Sequence, residues 1–587
     1  MQTLPNCAPP RRRVARLLLA SLAILAPRLA RADGPRAPVS PSPTPSPDAP
    51  AEDASAADDS AGLGRLLLDD GRPDVPAAEE GLIRFRFNGE YQLRVNRMQS
   101  FPLVPSDTVA LATPGATSDS IGQNNWLNHW LRITPRFQLG KNLTIVGQMD
   151  IVTGVVLGDP THDVGSDQTP RDDSGFSNVQ PRWLYLEWLT PIGLVRAGQI
   201  PNHWGMGLVA NDGDHPPLFG DYRYGSIGDG IVFGTKPLGK DGPLTVALGG
   251  QYVFKDPLVD LARGDRATQV LLAAFLERGP NQIGIYGAYR HQWNDRTSDN
   301  ARFTYSDQID VGVVDVAGKF AARVPGVDAW VVGAAEAATI FGTTNEIRTL
   351  TQALSGEKTT LRSYGGAAQI GVVHVGHDPA SVEAAREGSP PVDWGDIVAQ
   401  LEVGYASGDA DPYGDTQKRF TFDPNHKVGL LLFDEVMRWQ TARAASAAQD
   451  PNLTNAARPT PGVNLIPSNG GVFGAQYLYP TAIVRPRPWF DLKAGVVIAQ
   501  ASTDVVDPYR TATSGSSQNY NGGNPARHDL GVELDGGFEV RIPTEYGVKL
   551  ALGAQAGVLF PGGALEDANG NAMRAPWIAV GRLGVLF

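Results

Sequence analysis

The chain has 587 residues, 42% of them hydrophobic and only 19% charged, with 67 glycines and a single cysteine, Cys7. Lys and Arg number 50 against 62 Asp and Glu, a formal charge of −12, which argues against nucleic acid as a partner because phosphate binding needs the opposite sign. One thiol near the start leaves the rest of the chain without a disulfide framework, a thiolate nucleophile or a Cys metal site.

Residues 1–32 read as a signal peptide. Arg11-Arg12-Arg13 and Arg16 make a positive head, Val14 to Ala26 an apolar stretch too short to span a membrane, and Ala30-Arg31-Ala32 a small-x-small cleavage site. Its removal takes six Arg and no acid, leaving 44 cations against 62 acids. Residues 33–80 are rich in Pro, Ala and Asp, cannot bury a core, and are expected to be a disordered periplasmic linker.

Residues 81–587 show no apolar run long enough for a membrane helix; they alternate with a period of two instead. Ile83, Phe85, Phe87, Gly89, Tyr91, Leu93 and Val95 alternate with Arg84, Arg86, Asn88, Glu90, Gln92, Arg94 and Asn96. An ordinary strand is about five or six residues, whereas a strand that crosses a bilayer needs about ten. Late in the chain Leu530, Val532, Leu534, Phe538, Val540 and Ile542 alternate with a charged set, Glu533, Asp535, Glu539 and Arg541.

Strands are expected to start near Ile83, Leu127, Leu143, Val179, Leu194, Asp229, Leu244, Thr268, Ile283, Gln308, Val327, Arg362, Ile397, Phe473, Phe490, Leu530, Val548 and Trp577, eighteen in all. Short turn signals alternate with long links, the expected asymmetry of periplasmic turns and outer loops. The exception is a long link from His377 to Asp393 on the short side. The largest loop, Ser407 to Gly470, with a helical stretch from Val428 to Ala445, is expected to cover the mouth as a lid; the alternatives are that it dips inward and narrows the pore or binds an external partner. Aromatic residues, among them Trp183, Trp188, Phe320 and Trp489 at one end and Trp126, Tyr289 and Phe341 at the other, are expected to form two interfacial girdles.

In the last strand Ala579, Gly581, Leu583, Val585 and Phe587 share one side. An edge with no tail to protect it must pair, and closing a barrel removes edges. The segment resembles the carboxy-terminal targeting strand of bacterial outer-membrane barrels, which implies the barrel-assembly machinery as a partner through Phe587. The fold expected is all-β: a single transmembrane antiparallel β-barrel of about eighteen strands, in the outer membrane of a Gram-negative-type bacterium, against lipids and lipopolysaccharide.

A barrel of that size is wide enough for an aqueous channel unless loops fill it. The inward positions expected to line it are Arg84, Arg86, Glu90, Arg94, Arg132, Arg136, Asp150, Glu187 and Arg196 on the first half. On the far half they are Asp396, Glu402, Asp491, Lys493, Glu533, Asp535, Glu539, Arg541 and Arg582. Arginines on one arc facing carboxylates on the other would set a transverse field across a constriction; the alternative is that the charges pair across neighbouring strands.

Arg196-Ala-Gly-Gln-Ile-Pro-Asn-His-Trp204-Gly and Gly404-Tyr-Ala-Ser-Gly-Asp409, followed by Phe422-Asp-Pro424, resemble motifs of the alginate-export-type porins. The resemblance implies an eighteen-stranded channel. This lumen mixes carboxylates among the arginines, so the function expected is passage of small polar or charged solutes. An adhesion or docking barrel and a barrel hydrolase are the alternatives. No His-Glu-x-x-His or Gly-x-Ser-x-Gly motif is present, and no enzyme is expected. Asp409, Asp411 and Asp415 invite a loop-bound calcium, and Asn211, Asp212 and Asp214 form a second acidic knot. Both sets read first as solvated turns, and no cofactor is otherwise expected.

Overall fold

The computed structural model describes residues 83–587 except 102, 104–124, 158–177, 222–223, 240, 260, 262–264, 280, 295–306, 328, 346–357, 375–395, 450–465, 488 and 545–547. The expected signal peptide, linker and 377–393 link therefore lie outside the described residues.

Among the described residues eighteen long strands form one closed antiparallel sheet. They are β1 Ile83–Gln99, β2 Asn125–Leu139, β3 Leu143–Leu157, β4 Asn178–Thr190, β5 Gly193–Pro201, β6 Ile227–Thr235, β7 Leu244–Lys255, β8 Arg266–Arg278 and β9 Asn281–Asn294. They continue as β10 Asp307–Arg323, β11 Ala329–Thr344, β12 Thr359–His374, β13 Asp396–Ala406, β14 Ala475–Arg487, β15 Phe490–Ala501, β16 Asp529–Pro543, β17 Lys549–Pro561 and β18 Trp577–Leu586. Each starts within three residues of its expected position. A two-residue strand, Thr416–Gln417, runs parallel to β12 inside a loop and is no stave of the barrel.

The sheet closes where β18 pairs with β1, from Glu90↔Leu586 to Gln99↔Trp577. Phe587 extends that seam: its N–H donates to Gly89 O (2.9 Å) and its carbonyl accepts from Gly89 N–H (2.7 Å). The Phe587 ring stacks on Phe87 at 5.8 Å and lies over Gly89, where a Cβ would come within 2.4 Å of it.

The outer face carries the apolar half of the alternation. Ile83, Phe85, Leu248, Leu272, Ile285, Ile370, Leu552 and Leu583 are each 48–65% exposed, and they belong to strands spread around the barrel. Leaving each such side chain in water costs about 1.5–3 kcal/mol relative to burial. A continuous belt of this kind needs a bilayer, and the fold is a transmembrane barrel.

Two aromatic positions depart from the girdle expectation. Trp126 packs against the cluster of buried side chains inside the barrel. Trp183 is buried with Val146, Tyr185 and Tyr224. Its strand is bulged, because Gln148 pairs with Trp183 and Met149 with Pro181, so both Arg182 and Trp183 turn inward.

Candidate functional site

Two of the long-rim loops fold into the barrel. The first, residues 202–226, touches three separated parts of the wall. Trp204 Nε1 donates to Asp315 on β10 (3.2 Å), and the N–H groups of Met206 and Leu208 donate to the two oxygens of Glu336 on β11, the latter at 3.0 Å. Further on, Gly213 O and Asp214 Oδ1 each accept from Arg132 on β2 at 2.9 Å, while Asp150 on β3 grips the same guanidinium at 2.7 and 3.0 Å. Asp221 then takes Arg94 of β1 (2.9 Å) and Arg582 of β18 (2.6 Å), and Gly220 N–H donates to Gln555 of β17 (3.0 Å). Anchors on β10–β11, on β2–β3 and on β17–β1 require the loop to cross the lumen.

Arg182 fixes the middle of the crossing. Fully buried, it donates to Gln148 Oε1 (2.7 Å), to Asp212 O (2.7 Å) and to Tyr224 O. Gly225 sits at φ +89°, where a Cβ would lie 2.0 Å from the same Asp212 carbonyl oxygen, so the turn tolerates no side chain there.

The second inward loop, residues 407–474, carries a π-helical turn, Leu432–Met437, that runs into helix α1, Arg438–Gln449. The carboxylate of Glu533 on β16 accepts the N–H groups of Leu430, Leu431 and Leu432 (2.5, 2.7 and 2.6 Å), donors that the start of a helical segment leaves free. Leu431, Leu432 and Phe433 are almost completely buried against inner-face residues of the wall that include Tyr477, Val497 and Leu559. The loop thus dips inward, the alternative to the lid expected for it.

The loops meet inside the barrel. Asp423 N–H donates to Leu208 O (2.7 Å) and His426 Nδ1 lies 3.2 Å from Met206 O. His426 Nε2 also reaches Glu402 of β13 (3.0 Å), which accepts from Tyr477 OH (2.6 Å). Burial pushes the Asp423 carboxyl up to about 7 against the hydrogen bonds from Asn425. For His426 burial works downward, but the adjacent Glu402 outweighs it and the net shift is up. His203 is pushed down to about 4 by burial and by the neighbouring His215.

Beneath the first loop the wall from β14 round to β1 leaves an open recess. It is lined by five cations, Arg94, Arg485, Lys493, Arg541 and Arg582, and four carboxylates, Glu90, Asp221, Asp491 and Glu539. They interlock: Asp491 takes Arg485 (3.2 Å) and Arg541, and Glu539 takes Arg541 (2.7 Å) and Lys493 (3.6 Å). Cations and carboxylates thus alternate on one wall, and the expected separation into opposed arcs of single sign is not what these side chains form.

Other expected lining residues divide between anchors and wall. Arg132, Asp150, Glu402, Glu533 and Asp535 are buried, covered by the inward loops. Glu187 and Arg196 pair at 2.9 Å across β4 and β5. Arg84, Arg86 and Arg136 occupy the inner-face register near the short-turn rim. Asp396 is placed only by its backbone, opposite Arg485; its side chain lies outside the described residues.

Asp409 and Asp411 are spent on local turns: Asp409 accepts the N–H groups of Asp411 and Lys418 (3.1 Å each), and Asp411 accepts that of Tyr413 (3.1 Å). Among the described residues the cluster that brings metal-binding side chains together is His203, Asp212 and His215, and it does not include Asp409, Asp411 or Asp415. The 211–214 knot is no solvated turn. Asn211 is 3% and Asp212 9% exposed, and the segment is the seat of Arg132 and Arg182. Arg182, Asp221, Asp315 and Glu336 join the site beyond the residues expected from the sequence; the last two stand at inward positions of the alternation, the signal that could have found them.

No family model and no curated protein matches the chain. Among solved structures it is similar to Pseudomonas aeruginosa OccK5 (OpdH) at 6% identity and TM-score 0.41, over 86% of this chain and 98% of that one. It is also similar to Acinetobacter baumannii OccAB2 at 9% identity and TM-score 0.42, over 85% and 98%. A BenF-like porin from Pseudomonas fluorescens Pf-5 gives 8% identity and TM-score 0.40, over 85% and 99%. Likeness at this level says nothing of solute or mechanism.

Proposed function

We propose that the protein is an outer-membrane channel for small polar or charged solutes, narrowed by the two loops that meet inside it. The observation that carries this reading is the charge-lined recess left open beneath the crossing loop. Its charged side chains pair with one another along the wall and still border open space, so a polar solute passing there meets both signs of charge. Alternating charge on one wall favours solutes that carry both signs, or one sign at modest density, over a polyanion. The resemblance to alginate-export-type porins is kept here at the level of channel architecture. Passage is not catalysis, and the reading assigns no enzyme activity. The belt of exposed apolar side chains supports contact with outer-membrane lipid, and the seam strand ending at Phe587 supports handling by the barrel-assembly machinery.

Reconstitution into planar bilayers tests the proposal. Discrete current steps are expected, with weak ion selectivity. Arg84→Ala with Arg86→Ala should move the reversal potential toward cations, since both occupy inner-face positions. Absence of any current from folded protein would count for a docking barrel instead.

A further inference from the structure

We propose that His203, Asp212 and His215, in the loop that crosses the lumen, bind a divalent transition-metal ion of the Zn²⁺ class. His215 Nδ1 and His203 Nδ1 lie 3.0 and 4.0 Å from one and the same oxygen, Oδ1 of Asp212. The three ligand atoms all fall within 4.8 Å of one another. Bonds of about 2.0–2.2 Å from one ion to imidazole nitrogen and carboxylate oxygen set neighbouring ligand atoms about 3–4 Å apart, so a small turn of the His203 ring completes the site. Two imidazoles and one carboxylate suit Zn²⁺, Ni²⁺ or Cu²⁺; the hard ions Ca²⁺ and Mg²⁺ prefer all-oxygen sets.

The surroundings hold the carboxylate in place. Asp212 is fixed through its carbonyl by buried Arg182 (2.7 Å) and through Oδ1 by the Asp214 N–H (2.9 Å). Such outer partners orient a metal ligand before the ion arrives. The His203 and His215 side chains are 27% and 37% exposed, so the remaining coordination positions face water inside the barrel. An ion bound there ties the start of the loop, at residue 203, to the crossing segment at 212–215. It would lock the constriction and add a double positive charge beside it. The competing account is a plain hydrogen bond from His215 to Asp212, with the His203 ring stacked on His215 at 4.0 Å and no ion involved.

The test uses the full chain, folded in detergent, with Co²⁺ and Zn²⁺ as probes. The site predicts one saturable ion per chain by calorimetry, visible Co²⁺ ligand-field bands, and displacement of Co²⁺ by Zn²⁺ but not by Ca²⁺. H203A and H215A should each weaken Zn²⁺ by about tenfold or more. H528A, in the exposed His528–Asp504 pair of another loop, should leave it unchanged. No saturable binding to the unmodified protein, or equal binding by the H203A/H215A double variant, overturns the proposal. Should those variants fail to fold, the unmodified protein still decides. Zn²⁺ should protect His203 and His215 from diethyl pyrocarbonate, and equal modification with and without Zn²⁺ refutes the site. These readouts do not depend on current through the barrel, so failure here is separate from failure of the channel reading.

Discussion

Arg182 shows how much one side chain can organise inside a barrel. It is fully buried, and its guanidinium serves one wall glutamine and two loop carbonyls while Asp150 stands 3.9 Å away. Arg182→Ala should leave two buried carbonyls without donors and Asp150 with one cation fewer. Breaking such a buried arrangement costs about 3–5 kcal/mol. Hydrogen exchange should then show residues 207–225 losing protection while the strands keep theirs; unchanged protection in the loop would mean that its other anchors hold it without Arg182. This arginine was hidden in the sequence for a definite reason. Alternation assigns sides only while the register lasts, and the bulge at Pro181–Trp183 puts two consecutive residues on the inside. Glu402, Glu533 and Asp535 were legible as inward positions. The loop partners of Glu402 and Glu533, namely His426 and the N–H groups of Leu430 to Leu432, were not, because they come from a loop rather than from a neighbouring strand.

At the scale of the element, the second inward loop depends on its hold on the wall. Glu533 meets three consecutive backbone donors, so Glu533→Ala should free the 430–437 turn. Losing charge-assisted bonds of this kind costs about 1.5–3 kcal/mol each at most, with partial relief from water. Limited proteolysis should cut within residues 427–449 in the variant before it cuts the parent; equal resistance would place the anchor elsewhere. Docking of this loop should also depend on pH, with one sign from two groups. Asp423 is raised from 3.8 to about 7 when docked, so between about pH 4 and 7 the docked state binds more protons than the released one and docking weakens as pH rises. His426 is raised above 6.5, and the stability its proton brings is present at lower pH and lost as pH passes through that raised value. Protease resistance of the loop should therefore fall from pH 5 to pH 8, and Asp423→Asn should flatten the lower part of the profile. A loop that tightens as pH rises would reverse this assignment. The two motifs quoted from the sequence, around Trp204 and around Asp409 to Pro424, lie at the roots of the two inward loops, so their positions were informative even though the inward course was not. The apolar run Leu430-Leu431-Leu432-Phe433 was the one local hint that the loop is buried rather than wetted.

At the scale of the molecule, the barrel wall was legible and its contents were not. The period-two pattern depends on lipid outside and a different medium inside, which is a local property of each strand, and every strand start could be read from it. What fills the lumen is non-local. Val497 and Tyr477 stand on inner faces with apolar or amphipathic side chains because the second loop covers them, and a rule that expects a polar interior cannot foresee that. Closure is a whole-molecule property too. Gly89→Leu should push the Phe587 ring out of the seam, given a Cβ approach of 2.4 Å, and lower the temperature at which the folded barrel changes mobility on a detergent gel. A variant as heat-resistant as the parent would show that the seam past Leu586 contributes nothing.

The most direct measurement is single-channel current through the parent protein and through Glu533→Ala, recorded side by side in the same bilayer. Small discrete steps are expected for the parent, and larger steps with more open-channel noise once the second loop loses its anchor. A parent that passes no ions, or a variant whose steps match those of the parent, would contradict a channel narrowed by that loop.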